Sequence, residues 1–226
     1  MNPPHSRAAK TRWIVLLTMS LELLGCADAN PNVRARRLPD GHIQVDGPLA
    51  GPYDSLEELA ERSCDLMTGQ PGATNGAHGF EYCALFYRSS EEGSYYLSYL
   101  SDIRGNLDPV VKTCSLPTRL NDPAHAKTLL LGGAHTHPNS RGFSPRDMSA
   151  AAQWRPVRFF DTETGKVWDH QLLVFFREKT GECRTYIYNN STRIVSALRQ
   201  GKWVPIGEVY DDLGYIRMYE GKDWLP

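Results

Sequence analysis

Residues 134–147 read Ala-His-Thr-His-Pro-Asn-Ser-Arg-Gly-Phe-Ser-Pro-Arg-Asp, and the apolar Leu129-Leu130-Leu131 feeds directly into them. In an extended segment alternate side chains share a face, so His135 and His137 can point at one spot. Ser144-Pro145 then reads as a helix start, with serine at the N-cap, proline at the first helical position and Asp147 in the first turn. A strand delivers two nitrogens and the next helix delivers an oxygen. Three ligands of the His, His, Asp type, with a fourth position left for water, describe a catalytic zinc site better than a closed structural one. Taken alone, Ser144 and Asp147 make an ordinary capping-box variant with Asp in place of the usual Glu or Gln, and a lone His-x-His is a weak signal. Their combination, with Pro138 turning the chain straight after the second histidine, points to a metal.

Working outward, Phe80 to Arg88 is apolar and aromatic enough for a central strand. Glu81 sits near its beginning. A carboxylate in a buried-looking strand costs free energy unless something compensates it, and a water on a nearby metal is such a compensation; a strand-end glutamate reaching solvent is the alternative. Ser89 to Gly93 reads as a hairpin turn, with Tyr95 to Leu100 as the return strand. Pro109 to Leu116 and Lys127 to Ala134 add extended pieces, and the Ser144 helix is expected to run to about Trp154. Val157 to Phe160, Gln171 to Arg177 and Cys183 to Tyr188 are further strands, Arg193 to Gln200 a short helix, and the stretch from Gly201 onward a last strand pair or wrapped tail. This order predicts an α/β fold, a mixed sheet flanked by helices.

The pattern His135-Thr136-His137-Pro138 followed by Ser144-Pro145-Arg146-Asp147 resembles the signature of the JAMM (MPN or JAB-like) zinc metallopeptidases, which hydrolyse peptide and isopeptide bonds. The resemblance covers about residues 79–190. It implies a cytidine-deaminase-like domain, zinc held by His135, His137 and Asp147, Glu81 as general base, and Ser144 helping to stabilise the oxyanion. Six residues separate His137 from Ser144 here, one fewer than in the better-known members. Shorter loops ending in Phe-Ser-Pro-x-Asp look more like a bacterial JAB-like branch, which also occurs in settings that look like secreted toxins.

The first residues carry a different message. Arg7, Lys10 and Arg12 precede the apolar run Trp13 to Leu24, which ends in Leu23-Leu24-Gly25-Cys26. That layout is a secretory signal over residues 1–25, with an apolar core too short for a comfortable membrane span. Cysteine after a small residue also resembles a bacterial lipoprotein cleavage box, which implies lipid on Cys26 and a membrane-anchored protein of the cell envelope. Residues 26–52, rich in Pro, Gly, Asn and Arg, read as a tether or irregular arm, its Val33-Arg34-Ala35-Arg36-Arg37 stretch a solvated charge run. Ser55-Leu56-Glu57-Glu58 is a capping box that opens a helix to about Met67, and residues 53–226 form the expected domain.

Losing residues 1–25 removes three positive charges and one negative, taking the formal net charge from −1 to −3. A near-neutral chain argues against a nucleic-acid partner. Hydrophobic content of 41% fits one globular core. Besides Cys26, Cys64, Cys83, Cys114 and Cys183 are an even set suited to two disulfides in an oxidising compartment, and three pairings are open. A four-cysteine zinc site lacks any Cys-x-x-Cys pair. His42, His78, His125 and His170 read as surface or turn residues. The expected partner is a peptide or protein substrate, with cell-wall stem peptides among the candidates. A noncatalytic envelope lipoprotein acting as a binding module is the competing class.

Overall fold

The computed structural model describes residues 29–104, 113–149, 158–162 and 164–225. In chain order these form β1 (Ala35–Arg37), β2 (Ile43–Asp46), β3 (Ala50–Tyr53), α1 (Leu56–Thr68), β4 (Cys83–Ser89), β5 (Tyr95–Leu97), β6 (Arg119–Asn121) and β7 (Thr128–Thr136). There follow α2 (Pro145–Met148), β8 (Arg158–Phe160), β9 (Val167–Asp169), β10 (Gln171–Arg177), β11 (Cys183–Asn189), β12 (Ile194–Arg199), β13 (Lys202–Val209) and β14 (Ile216–Met218). Nine strands make one sheet in the order β14-β13-β12-β11-β10-β7-β4-β5-β3, and two small sheets, β1-β2-β6 and β8-β9, stand apart from it.

At the middle of the large sheet is a strand that sequence marks as buried on both sides. Leu172-Leu173-Val174-Phe175 has no polar alternate, as expected when both faces are covered. Leu173 and Phe175 join Leu59, Ala60, Cys64 and Met67 of α1 in one apolar cluster. Leu172 and Val174 join Phe143, Met148, Tyr186 and Ile206 in a second cluster on the opposite face. Helix α1 is capped by Ser55, whose hydroxyl accepts from the Glu58 amide at 3.1 Å. The Glu58 carboxylate accepts from the Asp54 amide rather than that of Ser55, so the box closes one residue early.

The expected helix-flanked α/β fold is not what forms. Among the described residues, fourteen strands in three sheets stand against one 13-residue helix and one four-residue turn. Most neighbours in the large sheet are antiparallel and joined by short turns, which leave no room for crossover helices. Only β7 and β10 pair parallel there. The segment Arg193 to Gln200, expected to be helical, is mostly strand β12. Its β-branched Ile194 and Val195 suit a pleat, and Arg199 pairs with Lys202 across a two-residue turn. In that turn Gln200 and Gly201 both have positive φ (50° and 71°), the conformation that closes a tight hairpin. Helix α2 stops at Met148, and Ser149 is extended. The chain at Gly214 lies against the Pro145 carbonyl and the Ser149 amide, two groups that would pair in a further helical turn. The rest of the expected helix to Trp154 lies outside the described residues.

Several other expectations also change. Asn32 to Pro226 form one compact unit, so the arm expected up to Pro52 contributes β1, β2 and most of β3. Ala35–Arg37 pairs with Ile43–Val45 as a strand, while Arg34, Arg36 and Arg37 remain exposed, as expected of a solvated charge run, and Arg34 stacks over Tyr99 at 4.0 Å. His125 is buried, with Nδ1 2.6 Å from Asp122. Residues 1–28, including Cys26 and the expected signal, and part of the stretch Pro109 to Leu116 lie outside the described residues. Of the three pairings open to the cysteines, the fold makes Cys64–Cys183 and Cys83–Cys114, and two disulfides are compatible with an exported protein.

Candidate metal centre

Strand register assembles the site. In β7, His135 lies opposite Cys83 of β4 on one side and opposite Val174 of β10 on the other. Paired residues share a sheet face, so His135 points to the side that carries Val174, and Phe143 lies 6.2 Å from its ring. The His137 amide still donates to the Phe175 carbonyl, at 2.8 Å. The chain thus follows β10 one residue past β7, and both imidazoles reach the same point. Their Nε2 atoms are 3.0 Å apart. His135 Nε2 is 3.6 Å from Asp147 Oδ1, and His137 Nε2 is 3.4 Å from Asp147 Oδ2.

These distances suit a small tetrahedral cation. A tetrahedron with metal-ligand bonds of about 2.1 Å has edges of about 3.4 Å, close to the 3.0, 3.4 and 3.6 Å separations of these atoms. The hydrogen-bonding pattern agrees. His137 Nδ1 is 2.9 Å from the Gly142 carbonyl, which can only accept. Nδ1 therefore carries the hydrogen and Nε2 presents a lone pair to the cluster. Ser140 Oγ is 3.0 Å from the same Nδ1. His135 Nδ1 is buried without a hydrogen-bond partner. That orphan follows if the His135 hydrogen sits on Nε2, drawn to His137. Moving it to Nδ1, near the Leu173 backbone that already favours protonation of this ring, releases Nε2 as a second ligand. His135, His137 and Asp147 thus form a group whose donor types and spacing could hold a metal ion once the His135 hydrogen is on Nδ1.

Asp147 has two roles at once. Its Oδ2 accepts from the Ser144 amide at 2.7 Å and from the Ser144 hydroxyl at 2.8 Å, and Ser144 Oγ in turn caps the Asp147 amide. Asp147 therefore serves at once as capping-box residue and as candidate metal ligand, with Oδ1 turned to His135. Burial alone would raise the Asp147 carboxyl, but the charges and hydrogen bonds of His135 and His137 outweigh it and hold it well below the usual carboxylate range. For His135, burial favours the neutral ring. The Asp147 carboxylate, with help from Glu81, reverses this and raises it.

Glu81 lies just before β4, half-buried, where its Oε2 accepts from the Cys114 amide at 3.2 Å. Cys114 is held there by its disulfide to Cys83. Burial pushes the Glu81 carboxyl up; His135 and His137 pull it back and Asp147 adds to the rise. The structure thus brings Glu81 within electrostatic reach of all three donors. Ser144 is also in place, but its hydroxyl proton is already given to Asp147. A groove of about 850 Å³ borders the site on the Ser144 side, between Arg141, Phe143, Phe176, Glu178 and Trp224. None of the three donors or Glu81 lines it.

Sequence inspection missed the supporting groups. The Gly142 carbonyl, the Cys114 amide and Trp224 act through backbone or through contacts made far along the chain, and no local pattern marks them. No family model, curated protein or solved structure matches this chain.

Proposed function

We propose that the chain is a zinc-dependent amide hydrolase of JAMM type, acting on peptide or isopeptide bonds. The convergence of His135 Nε2, His137 Nε2 and Asp147 on one point, with Glu81 close enough to feel their charges, carries this reading. Zinc there would supply a Lewis acid for the scissile carbonyl and ease ionisation of the attacking water. Glu81 takes the proton on the oxygen that Cys114 leaves free and passes it to the leaving amine. Burial raises its affinity for that proton, which suits a group that must both accept and release it. Ser144 holds Asp147 in place. Ser144 is also the proposed oxyanion donor, a role that requires its hydroxyl to turn from Asp147.

In keeping with the two disulfides, the site is proposed to work outside the cytosol. Lipid on Cys26 would tether it to the bacterial envelope, where cell-wall stem peptides and envelope proteins are the accessible amides. One observation favours the competing binding-module reading, namely that the Ser144 hydroxyl is engaged with Asp147 and not free for substrate.

The test is the zinc content of residues 27–226, made with disulfides intact and without a histidine tag, beside His135→Ala. About one zinc per chain, lost in the variant, supports the site. Glu81→Gln should then keep the zinc and lose hydrolysis in a screen of peptide and cell-wall amides. A native chain that takes up no zinc on reloading sinks the hydrolase reading.

A further inference from the structure

We infer that Trp224 is a positioning residue for the metal ligand His137, acting through Gly142 from the far end of the described chain. The inference rests on the zinc reading above for its function, but its geometry is independent of any ion.

The loop between His137 and Ser144 has to hold one group very accurately, the Gly142 carbonyl that takes the His137 Nδ1 hydrogen. The residue that bears this carbonyl is braced from outside the loop. The Trp224 indole lies on the α-carbon of Gly142, so close that a β-carbon there would overlap atoms of both rings. Glycine is therefore required by close approach and not by its φ. The neighbouring Phe143 ring meets Trp224 edge-on at 6.5 Å and also packs 6.2 Å from His135. One indole thus presses on the two consecutive residues that touch the two histidines.

Trp224 is itself anchored to the sheet. Its ring stands edge-on to Tyr186 of β11, with centroids 5.0 Å apart, and its carbonyl accepts from the Tyr186 hydroxyl. Arg199 of β12 donates to the carbonyls of Asp223 at 3.1 Å and of Leu225. The Tyr186 ring belongs to the same apolar cluster as Phe143 and Met148. The metal loop is consequently clamped between the sheet and an indole that the sheet holds. Groups that orient a metal-bound imidazole typically change metal affinity by 10–100-fold when removed.

The experiment compares the parent chain with Trp224→Ala, Trp224→Phe, Gly142→Ala and the Gly142→Ala/Trp224→Ala pair. Zinc affinity is read by competition with a chromogenic chelator, and the His137 tautomer in the metal-free protein by nitrogen-15 NMR of the ring. The parent should show His137 as the Nδ1-H tautomer. Trp224→Ala should weaken zinc about 10-fold or more and give mixed His137 tautomers, and Trp224→Phe should restore most of both. Gly142→Ala should weaken zinc alone, yet add nothing in the Trp224→Ala background, where the space for a methyl group exists. Tautomer and zinc affinity unchanged in folded Trp224→Ala, or fully additive effects in the pair, would overturn the inference. Should Trp224→Ala not fold, Gly142→Ala and Trp224→Phe decide it by the same readings. A parent that binds no zinc but shows the tautomer change in Trp224→Ala would leave the clamp standing and remove the metal reading.

Discussion

Removing the disulfides one at a time should rank them by the loop each closes. Cys64–Cys183 ties α1 to the first residue of β11 across 119 residues, whereas Cys83–Cys114 spans only 31. If the cross-link acts chiefly by restricting the unfolded chain, the inner bond shortens the outer loop to about 88 residues (119 − 31), and loop closure is worth about 4.6 kcal/mol for the first and about 3.7 kcal/mol for the second at 25 °C. The double substitution Cys64→Ala/Cys183→Ala should therefore destabilise by about 0.9 kcal/mol more than Cys83→Ala/Cys114→Ala. Packing works in the same direction. Cys64 is buried against Leu59 and Met67, and Cys183 Sγ lies 3.5 Å from the Thr68 hydroxyl, so alanine there also leaves a void under α1. The assay is urea unfolding of zinc-free protein at neutral pH. The m-value should rise in both variants as the unfolded chain expands. A larger loss from the Cys83/Cys114 pair would refute the entropic argument and show that contacts around Glu81 dominate. No loss from either would mean that these bonds are not the ones the protein forms.

Three shorter predictions test the rest. Asp147→Asn keeps an oxygen for the Ser144 amide, so zinc-free stability should stay within about 1 kcal/mol of the parent while zinc is lost from the purified chain; unfolding of the variant in calorimetry well below the parent would mean that the cap, not the cation, is what Asp147 is for. Glu81 has a raised pKa through burial, so its contribution is fully present below the ordinary carboxylate range and is lost as pH rises through the raised value. Zinc-free Glu81→Gln should consequently gain stability over the parent at about pH 8 and lose that gain at about pH 4, and a pH-independent difference in urea midpoints would contradict it. Leu59→Ala, at a fully buried position of α1, should cost about 2–5 kcal/mol; a cost under about 1 kcal/mol would show that α1 is not what covers that face of the sheet.

The candidate site was legible to the extent that its chemistry is local. His135 and His137 are separated by one residue on a strand, and Ser144-Pro145 opens the turn bearing Asp147; period and capping rules alone bring those donors together. Glu81 was identifiable as an odd carboxylate at the head of an apolar strand, although β4 itself begins two residues later, at Cys83. Strand positions such as Gln171–Arg177 and Thr128–Thr136 were close to those expected because their apolar runs are long. Arg193 to Gln200 forms a strand where a helix is expected because its eight mixed residues satisfy helix and strand patterns alike, and only pairing with β11 and β13 decides between them.

Composition, motif spacing and capping chemistry were thus enough to nominate the donors and to indicate an oxidising compartment, since these depend on residue types a few positions apart. The β-rich architecture, the choice among disulfide pairings, the short α2 and the groups that orient the donors depended on tertiary structure. Each of these is set by strand register and by contacts between distant segments: Gly214 against Pro145, Cys114 beside Glu81, Trp224 on Gly142. Such contacts gain their free energy only when the whole sheet has formed, and no short stretch of the chain encodes them by itself.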